Sequence, residues 1–273
     1  MIFTVVGASG FIGGSLVRSL RTKGYDVRTP SRSDIGEGRS LEGHVIYAAG
    51  VTSDFRIRTF DALEANTTLV ANCLQRGGFD SFVYLSSTRV YRHGACSSES
   101  DALSVCPSDP EDLYDLTKLT AEAMCYVGGK GKAKVVRLSN VVGEDLRSRN
   151  FLFDVTRSAC TYGSIELRSD AESVKDYIVV EDVVDMIPEI AVRGRFSCYN
   201  LASGINLTHR EVVELIASCA GARWTVVPGA PRTGGPQIDI RRLREEFGFS
   251  PRPLPPALFR LVAAFRRTQR AAY

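Results

Sequence analysis

The chain has 273 residues, of which 44% are apolar and 24% charged, and its formal net charge is +3. This composition is typical of a soluble globular protein that buries a core without disulfides or metals. The small net charge gives no argument for nucleic acid as a partner. Seven cysteines without C-x-x-C spacing and three scattered histidines argue against a disulfide framework or a metal site.

The N-terminal apolar run ends at Gly7 and has no basic segment before it, unlike a signal peptide. No apolar run reaches the roughly 20 residues that a membrane-spanning helix needs. We therefore expect a cytoplasmic protein with reduced cysteines and no bound metal.

Apolar periodicity predicts strands and helices that alternate through the first two-thirds of the chain. Strands are predicted at 2–6, 25–29, 44–49, 81–86 and 133–138, and helices at 11–23, 62–75, 114–127 and 181–191. A polar stretch at 34–42 is too short for a further strand and a full helix. The alternation predicts an α/β fold with a doubly wound parallel sheet of the Rossmann type.

The later part of the chain has a different organisation. It contains a predicted helix at 210–219, a short strand at 224–227 and a rigid proline-rich segment at 251–256. We predict a dinucleotide-binding domain from 1–140 plus about 171–200. A smaller C-terminal substrate-binding lobe is predicted from about 141–170 and 201–273.

The final predicted helix, at 258–270, is basic and amphipathic. Its apolar face has two interpretations. It docks on the smaller lobe, or it contacts a membrane surface through its apolar face and its arginines.

A glycine fingerprint follows the first predicted strand, with the sequence Gly7-Ala8-Ser9-Gly10-Phe11-Ile12-Gly13. Glycines at this spacing permit a tight turn, a close approach to a pyrophosphate and close packing of the next helix. The free N–H groups of that helix favour phosphate at its start. The strand before and the helix after the loop favour a dinucleotide site over an ordinary turn.

The sequence Ser31-Arg32-Ser33 follows the second predicted strand. An NAD site usually has an acidic residue there for the ribose 2′-OH, whereas an NADP site has an arginine for the 2′-phosphate. Ser31 and Arg32 therefore favour NADP(H), with NAD(H) as the alternative.

Tyr114 and Lys118 are one turn apart on a predicted helix, and this pair supplies a proton donor and a cation. The phenol of a free tyrosine has a pKa of about 10. A nearby ammonium lowers that pKa by stabilising the phenolate. Together with the glycine loop, the pair indicates redox chemistry on a nucleotide cofactor.

Seven motifs together resemble the extended short-chain dehydrogenase/reductase family, in its nucleotide-sugar epimerase/reductase branch. The resemblance covers residues 2 to about 251. Its motifs are the glycine loop, Ala48-Ala49, Asn66, Ser86-Ser87-Thr88-Arg89-Val90-Tyr91, Tyr114-x-x-x-Lys118, Arg137-x-x-Asn140-x-x-Gly143 and 175–183.

The resemblance implies an enzyme in which Ser87, Tyr114 and Lys118 are catalytic. It also implies that Tyr114, Lys118 and the other loop glycines contact the cofactor, together with Ser9, Gly10, Phe11, Ile12, Ala48, Ala49 and Asn66. Ser87, Thr88, Arg89, Asn140 and Lys175 would contact a nucleotide-sugar substrate, and the family further implies a homodimer.

The residues beside Ser87 distinguish between reactions of the family. Its 4,6-dehydratases carry an acidic pair there, and its epimerase-reductases that make GDP-fucose carry a cysteine at position 89. This chain has Thr88 and Arg89, which leaves reduction of a 4-keto group, 4-epimerisation through a transient ketone, or a non-catalytic NADP-sensing regulator. Arg89 either contacts substrate or faces solvent.

Overall fold

A computed structural model of the protein describes residues 1–36, 41–52, 54–146, 148 and 150–270. Within these residues the strands are β1 Ile2–Val6, β2 Asp26–Arg28, β3 His44–Tyr47, β4 Ser81–Ser87, β5 Ala133–Leu138, β6 Asn140–Val142, β7 Ser164–Leu167, β8 Val174–Val179, β9 Cys198–Leu201, β10 Asn206–Thr208 and β11 Arg223–Val226.

The α-helices are α1 Phe11–Thr22, α2 Arg32–Gly36, α3 Thr59–Leu63, α4 Leu69–Arg76, α5 Asp112–Gly128, α6 Phe151–Tyr162, α7 Val180–Arg193, α8 His209–Ala220, α9 Arg241–Phe247 and α10 Leu254–Arg270. A π-helical segment at Glu64–Thr68 joins α3 to α4, and a 3-10 turn at Thr88–Tyr91 follows β4.

The main sheet has six parallel strands in the order β2-β1-β3-β4-β5-β9. Its central strands are buried along nearly their whole length, which is why they appear in the sequence as short continuous apolar runs. Helices α1 and α7 pack on one face, and α4 and α5 pack on the other. The predicted α/β fold with a doubly wound parallel sheet is confirmed.

The chain reverses its direction of progress across the sheet at β1. Strand β2 lies on one side of β1 and β3 on the other. In open sheets of this kind, ligands bind in the crevice outside the carboxyl ends of the two strands that flank the reversal. The glycine loop follows β1, and Ala48-Ala49 follows β3, so both border that crevice.

Part of the polar stretch predicted at 34–42 forms the end of the short helix α2, and its residues 37–40 lie outside the described part of the chain. Ser31 precedes α2 and hydrogen-bonds Asp34. This is the reciprocal bonding of a capping box, with an aspartate in the acidic position.

Two smaller sheets accompany the main one. One has the order β10-β8-β6, and the other pairs β11 with β7. They pack with α6, α8 and α10 around a second apolar cluster. Strand β8 pairs with β6 and β10, whereas α7, directly after it, packs against α1. The division into domains by residue number stays a prediction.

The C-terminal helix begins earlier than the sequence indicated. The segment 251–256 is predicted to be rigid and proline-rich, but α10 starts at Leu254 and contains Pro255 and Pro256. Prolines are compatible with the first turn of a helix, because its N–H groups have no partner within the helix. The apolar face of α10 is buried against α6 and α8, which is the docking arrangement.

Arginines on the outer side of α10 pair with acidic residues of the same chain. Arg260 lies 2.6 Å from Glu181, and Arg267 lies 3.1 Å from Glu144. Among the described residues, the structure contains no helix with the length and apolar character required to cross a membrane.

Candidate active site

The glycine loop is built by close backbone contacts at the end of β1. Gly7 has φ +89°, and a Cβ atom there would lie 2.5 Å from the backbone nitrogen of Ala49. A Cβ on Gly13 would lie 2.2 Å from the carbonyl oxygen of Gly7. Only glycine fits these positions, so the loop folds back tightly and lies beside Ala48-Ala49.

Helix α1 begins directly after Gly10, which has no side chain to cap it. Its first N–H groups therefore remain available to a phosphate, as a pyrophosphate site requires. Ser9 is exposed, whereas Phe11 and Ile12 are partly buried. A Cβ on Gly143 would lie 2.7 Å from the Phe11 ring, so the Arg-x-x-Asn-x-x-Gly motif packs against this loop.

Ser31 and Arg32 follow β2 and lie at the same end of the parallel sheet as the glycine loop, which follows β1. The Ser31 hydroxyl donates a hydrogen bond to Asp34, 2.6 Å away, and so serves as the cap of α2. Arg32 is solvent-exposed in the first turn of that helix. The exposed guanidinium is accessible to a phosphate group, while Ser31 is already engaged by its own helix.

Ser87, Tyr114 and Lys118 come together at the carboxyl end of β4. Ser87 is the last residue of that strand; its hydroxyl accepts from the backbone N–H of Arg89 at 3.2 Å and lies close enough to Tyr114 to lower the pKa of that phenol. The Lys118 ammonium donates to the carbonyl oxygen of Leu85 at 3.0 Å and lies 5.8 Å from the centre of the Tyr114 ring. The carboxyl end of β4 and the start of α5 thus bring the three predicted catalytic groups together.

Burial controls the ionisation of this group. It raises the pKa of Tyr114 to about 12, while the hydrogen bond from Ser87 and the charge of Arg89 act in the opposite direction. Burial also lowers the pKa of Lys118 to about 8, against a smaller opposing effect of Glu122. Both groups therefore depend on neighbouring charges for their protonation state at neutral pH.

Asn66 lies in the π-helical segment and is completely buried. Its amide nitrogen donates to Thr117 Oγ1 at 3.1 Å, while its Oδ1 atom has no hydrogen-bond partner among the described residues. A Cβ at Gly50 would lie 2.9 Å from that oxygen and 3.5 Å from Lys118 Nζ. Glycine at 50 therefore lets the backbone lie close to a buried acceptor and a cation, and a hydrogen-bond acceptor beside a donor suits a dinucleotide.

Thr88 is partly buried at the start of the 3-10 turn, and Arg89 follows it. The Arg89 guanidinium lies 3.3 Å from the carboxylate of Asp115 and donates to both the carbonyl and the carboxylate of Glu111 at 3.0 Å. Arg89 thus contacts the start of α5, whereas the sequence indicated only contact with substrate or exposure to solvent.

Asn140 and Lys175 lie on the neighbouring strands β6 and β8. The Asn140 amide donates to the carbonyl oxygen of Asp176 at 2.8 Å. The Lys175 ammonium lies 5.1 Å from the centre of the Phe151 ring. Both residues line a small cavity of ≈ 30 Å³, which Tyr177 also lines. Burial, together with the charge of Arg89, lowers the pKa of Lys175, which places the two cations within electrostatic reach.

A buried polar network beneath the site was not predicted from the sequence. Arg137 and Glu122 form an ion pair at 2.6 Å, with both side chains almost fully buried. Glu122 also accepts from Ser86 at 2.5 Å, and Arg137 donates to the Tyr91 hydroxyl at 2.7 Å. An arginine inside the apolar strand Ala133–Leu138 indicates that a buried acid must lie nearby, but the sequence does not identify which one.

Asp176 is another residue to which the sequence analysis assigned no role. Its carboxylate accepts the backbone N–H groups of Ser203, Gly204 and Ile205. These bonds tie the loop after β9 to β8, on which Lys175 is found. Asp176 thus fixes the local backbone of the predicted substrate-binding strand.

The fold and the site together define an NAD(P)-dependent enzyme of the extended short-chain dehydrogenase/reductase type. The chain belongs to the NAD dependent epimerase/dehydratase family, whose model matches residues 3–202.

Curated relatives are identical to this chain at 19–27% of the aligned positions. A dTDP-glucose 4,6-dehydratase from Streptomyces griseus is 26% identical over 196 residues, which cover 68% of this chain and 58% of that relative. A 3 beta-hydroxysteroid dehydrogenase/Delta 5→4-isomerase from Mycobacterium tuberculosis (strain ATCC 25618 / H37Rv) is 26% identical over 294 residues, covering 92% and 78%. The chain therefore spans little more than half of the dehydratase.

Solved structures share the fold over nearly the whole chain. MoeE5 in complex with UDP-glucose and NAD superposes with a TM-score of 0.82 at 24% identity, covering 98% of this chain and 100% of that one. RMD from Pseudomonas aeruginosa complexed with NADPH gives a TM-score of 0.80 at 24% identity, covering 97% and 99%. Neighbours of this fold thus bind either dinucleotide.

Proposed function

We propose that the protein reduces a 4-keto group on a nucleotide-linked sugar with NADP(H), and that Tyr114 is the proton donor. The observation that carries this proposal is the convergence of Ser87, Tyr114 and Lys118 at the carboxyl end of β4. Strand β4 is paired with β3, so its carboxyl end lies beside the crevice that the glycine loop borders.

Each residue of the group has a distinct task in this reaction. The dinucleotide supplies the hydride when it is bound. Ser87 orients the carbonyl oxygen of the substrate, and Tyr114 donates a proton to that oxygen. Lys118 contributes positive charge on the same side of α5, next to the buried acceptor of Asn66.

Dehydration is disfavoured by the residues beside Ser87. In the family's dehydratases an acidic pair at this point moves the proton and the water, whereas this chain has Thr88 and Arg89. Arg89 is moreover engaged by Asp115 and Glu111. A guanidinium is already protonated at every accessible pH, so it cannot take the place of an acidic residue that accepts a proton.

The preference for NADP(H) depends on Arg32. Its exposed guanidinium after β2 supports binding of a 2′-phosphate through charge-assisted hydrogen bonds. We expect Arg32→Ala to weaken NADPH binding about tenfold and to leave NADH binding nearly unchanged. A fluorescence titration with both dinucleotides measures this, with exposed Arg21→Ala on α1 as the control. Equal affinities of the unaltered protein for NADPH and NADH would contradict the preference.

A nucleotide-linked sugar is proposed as substrate because Lys175 carries a partly buried positive charge within electrostatic reach of Arg89, and Asn140 lies on the paired strand β6. The relatives support this class, since one is named for dTDP-glucose and a neighbouring structure contains UDP-glucose. Lysine carries one compact charge there, in place of the planar fork of an arginine.

A homodimer through the two helices predicted at 62–75 and 114–127 is also part of the proposal. Ile57 and Phe60 are 85% and 84% exposed, and Val127 on α5 is 86% exposed. Large apolar side chains that are this exposed favour burial against a partner. Membrane contact through α10 is not included, because its apolar face is already buried.

The decisive experiment is a panel of nucleotide-linked 4-keto sugars with NADPH, followed by the loss of NADPH absorbance. We expect turnover with at least one member, and Tyr114→Phe should reduce it roughly 10²- to 10⁴-fold. Tyr126→Phe, an exposed tyrosine on the same helix, is the matched control.

The same preparation tests the two other functions. A 4-epimerase would retain a dinucleotide through purification and interconvert nucleotide sugars without added cofactor. A non-catalytic NADP-sensing regulator would bind NADPH but turn over no substrate, and Tyr114→Phe would then leave its binding behaviour unchanged.

A further inference from the structure

Arg89 lies between the acidic start of α5 and the aromatic ring of Tyr114. The guanidinium carbon is 6.0 Å from the centre of that ring and 5.6 Å from the centre of the Phe55 ring. The two rings are themselves 5.5 Å apart. Arg89 thus contacts both aromatic side chains while it pairs with Asp115 and Glu111.

Asp115 gives this contact its importance, because it follows Tyr114 directly and its side chain is only 2% exposed. Burial raises the pKa of Asp115 to about 6, and the charges of Arg89 and Arg92 oppose that rise. Its Oδ1 atom has no hydrogen bond among the described residues. A buried carboxylate beside the proton donor would destabilise a phenolate there unless a cation neutralised it.

Glu111 holds the cation in place. Arg89 donates to its carbonyl oxygen and to its carboxylate. Arg56 binds the same carboxylate from the other side. A guanidinium presents donors in a fixed planar fork and keeps its charge throughout the accessible pH range. Arg89 is therefore held by side-chain and backbone acceptors in one orientation relative to Tyr114.

We propose that Arg89 is a positioning residue that neutralises Asp115 and stabilises the phenolate form of Tyr114. The inference rests on the proposed role of Tyr114 as proton donor. In the sequence analysis, Lys118 alone stabilised the Tyr114 phenolate, and the inference assigns part of that stabilisation to Arg89. The Lys118 ammonium is directed to the carbonyl of Leu85, whereas Arg89 pairs with the carboxylate next to Tyr114.

Several other groups face Tyr114 or Arg89 and enter the same balance. They are Lys118 on α5, Tyr84 and Ser87 on β4 and Lys175 on β8, while Arg92 after the 3-10 turn and Asp112 on α5 act on Asp115. Lys118 and Lys175 remain in all the variants below, so a change in the titration of Tyr114 is attributable to the Arg89–Asp115 pair.

The test is a spectroscopic titration of the Tyr114 phenolate in the full-length protein with NADP⁺ bound. The phenolate absorbance of each variant is compared with that of the same variant carrying Tyr114→Phe. We expect Arg89→Gln to raise the midpoint by about one pH unit, so that the phenolate fraction below the midpoint falls about tenfold. Asp115→Asn should move the midpoint in the opposite direction.

The combined Arg89→Gln and Asp115→Asn variant should return close to the midpoint of the unaltered protein, because both charges are removed together. Arg89→Lys, which keeps the charge, should shift the midpoint less than Arg89→Gln. In turnover, Arg89→Gln should lower kcat without raising the KM of the nucleotide sugar. Should Arg89→Gln fail to fold, Asp115→Asn alone still tests the sign of the effect.

An unchanged Tyr114 midpoint in Arg89→Gln or in Asp115→Asn overturns the inference, as does a rise in KM alone, which would make Arg89 a substrate-binding residue. The proposed function fails separately. Absence of turnover with every nucleotide sugar, combined with the expected shifts in the Tyr114 midpoint, rejects the reductase and still supports the Arg89–Asp115 pairing.

Discussion

Two regions border the candidate active site, and they are specified by different parts of the chain. The glycine loop after β1 is determined by backbone contacts, in which a Cβ atom at Gly13 would come within 2.2 Å of Gly7. The region between β4 and α5 is determined by buried side chains that pair over longer sequence distances, such as Ser86 with Glu122, which are 36 residues apart. The structure of the glycine loop follows from the spacing of its glycines. The structure of the region between β4 and α5 depends on tertiary packing.

This difference has a consequence for mutations. A change in the loop alters a surface that a cofactor must approach, whereas a change in the buried network removes the partner of a charge. We therefore expect loop variants to lose binding first and network variants to lose folding stability first. The four predictions below follow this distinction, from the largest expected effect to the smallest.

Gly13→Val should abolish dinucleotide binding and destabilise the fold by about 3 kcal/mol, because its Cβ meets backbone that has no room to move. Calorimetric titration with NADPH and thermal unfolding measure the two effects. Gly128→Ala is the control, since a Cβ there would meet nothing within 4 Å. Retained NADPH affinity in Gly13→Val would remove the loop from the cofactor site.

Arg137→Met should lower the free energy of unfolding by about 3–5 kcal/mol, because Glu122 would remain buried without a counter-charge. Folded protein at low temperature should still bind NADPH. The combined replacement of Arg137 and Glu122 by methionine should recover part of the loss. If Arg137→Met impaired binding without affecting unfolding, the distinction between the two regions would not hold.

Lys118→Met should change how stability depends on pH in the protein without added cofactor. The pKa of Lys118 is lowered to about 8 by burial, so between about pH 8 and 10.5 the unfolded chain binds more protons than the folded one. The stability contribution of Lys118 therefore rises with pH across this window, by on the order of 3 kcal/mol.

Urea unfolding at several pH values measures that slope. The variant should lack the part of it that Lys118 supplies, whereas exposed Lys130→Met should retain it. An identical slope in Lys118→Met and the unaltered protein would show that Lys118 keeps an ordinary pKa when folded.

Thr117→Val should have the smallest effect, a loss of about 1 kcal/mol in the free energy of unfolding. Its hydroxyl accepts from the buried amide of Asn66 at 3.1 Å, and valine would leave that amide with the longer bond of 3.5 Å to the carbonyl oxygen of Val51. Thr120→Val on the same helix is the control, because its exposed hydroxyl bonds only the carbonyl of Leu116. Equal losses in the two variants would show that Asn66 does not depend on Thr117.

The sequence was sufficient for the parts of the molecule that depend on local pattern. The strand from 2 to 6, the glycine spacing and the helical spacing of Tyr114 and Lys118 all lie within short windows, where periodicity has a direct geometric meaning. The start of α10 was misplaced, because two adjacent prolines indicate a break unless they fall in the first turn.

The partners of Arg89 were beyond such reasoning. Glu111 and Asp115 are separated from it by 22 and 26 residues, with a long irregular connection between them. Among the many charges of the chain, no spacing rule selects these two. Only the packing of α5 against the end of β4 brings them to the guanidinium, and the same packing sets the environment of Tyr114.

The π-helical segment Glu64–Thr68 has a consequence for anyone who edits this chain. Such a segment corresponds to one residue inserted into an ordinary α-helix. Deleting a residue of the segment before Asn66 would restore regular winding, with about 100° between successive residues, and would change the direction in which the Asn66 side chain points. Asn66 would then turn away from Thr117, although its neighbours in sequence had not changed. The length of this helix, and not only its composition, is therefore under constraint.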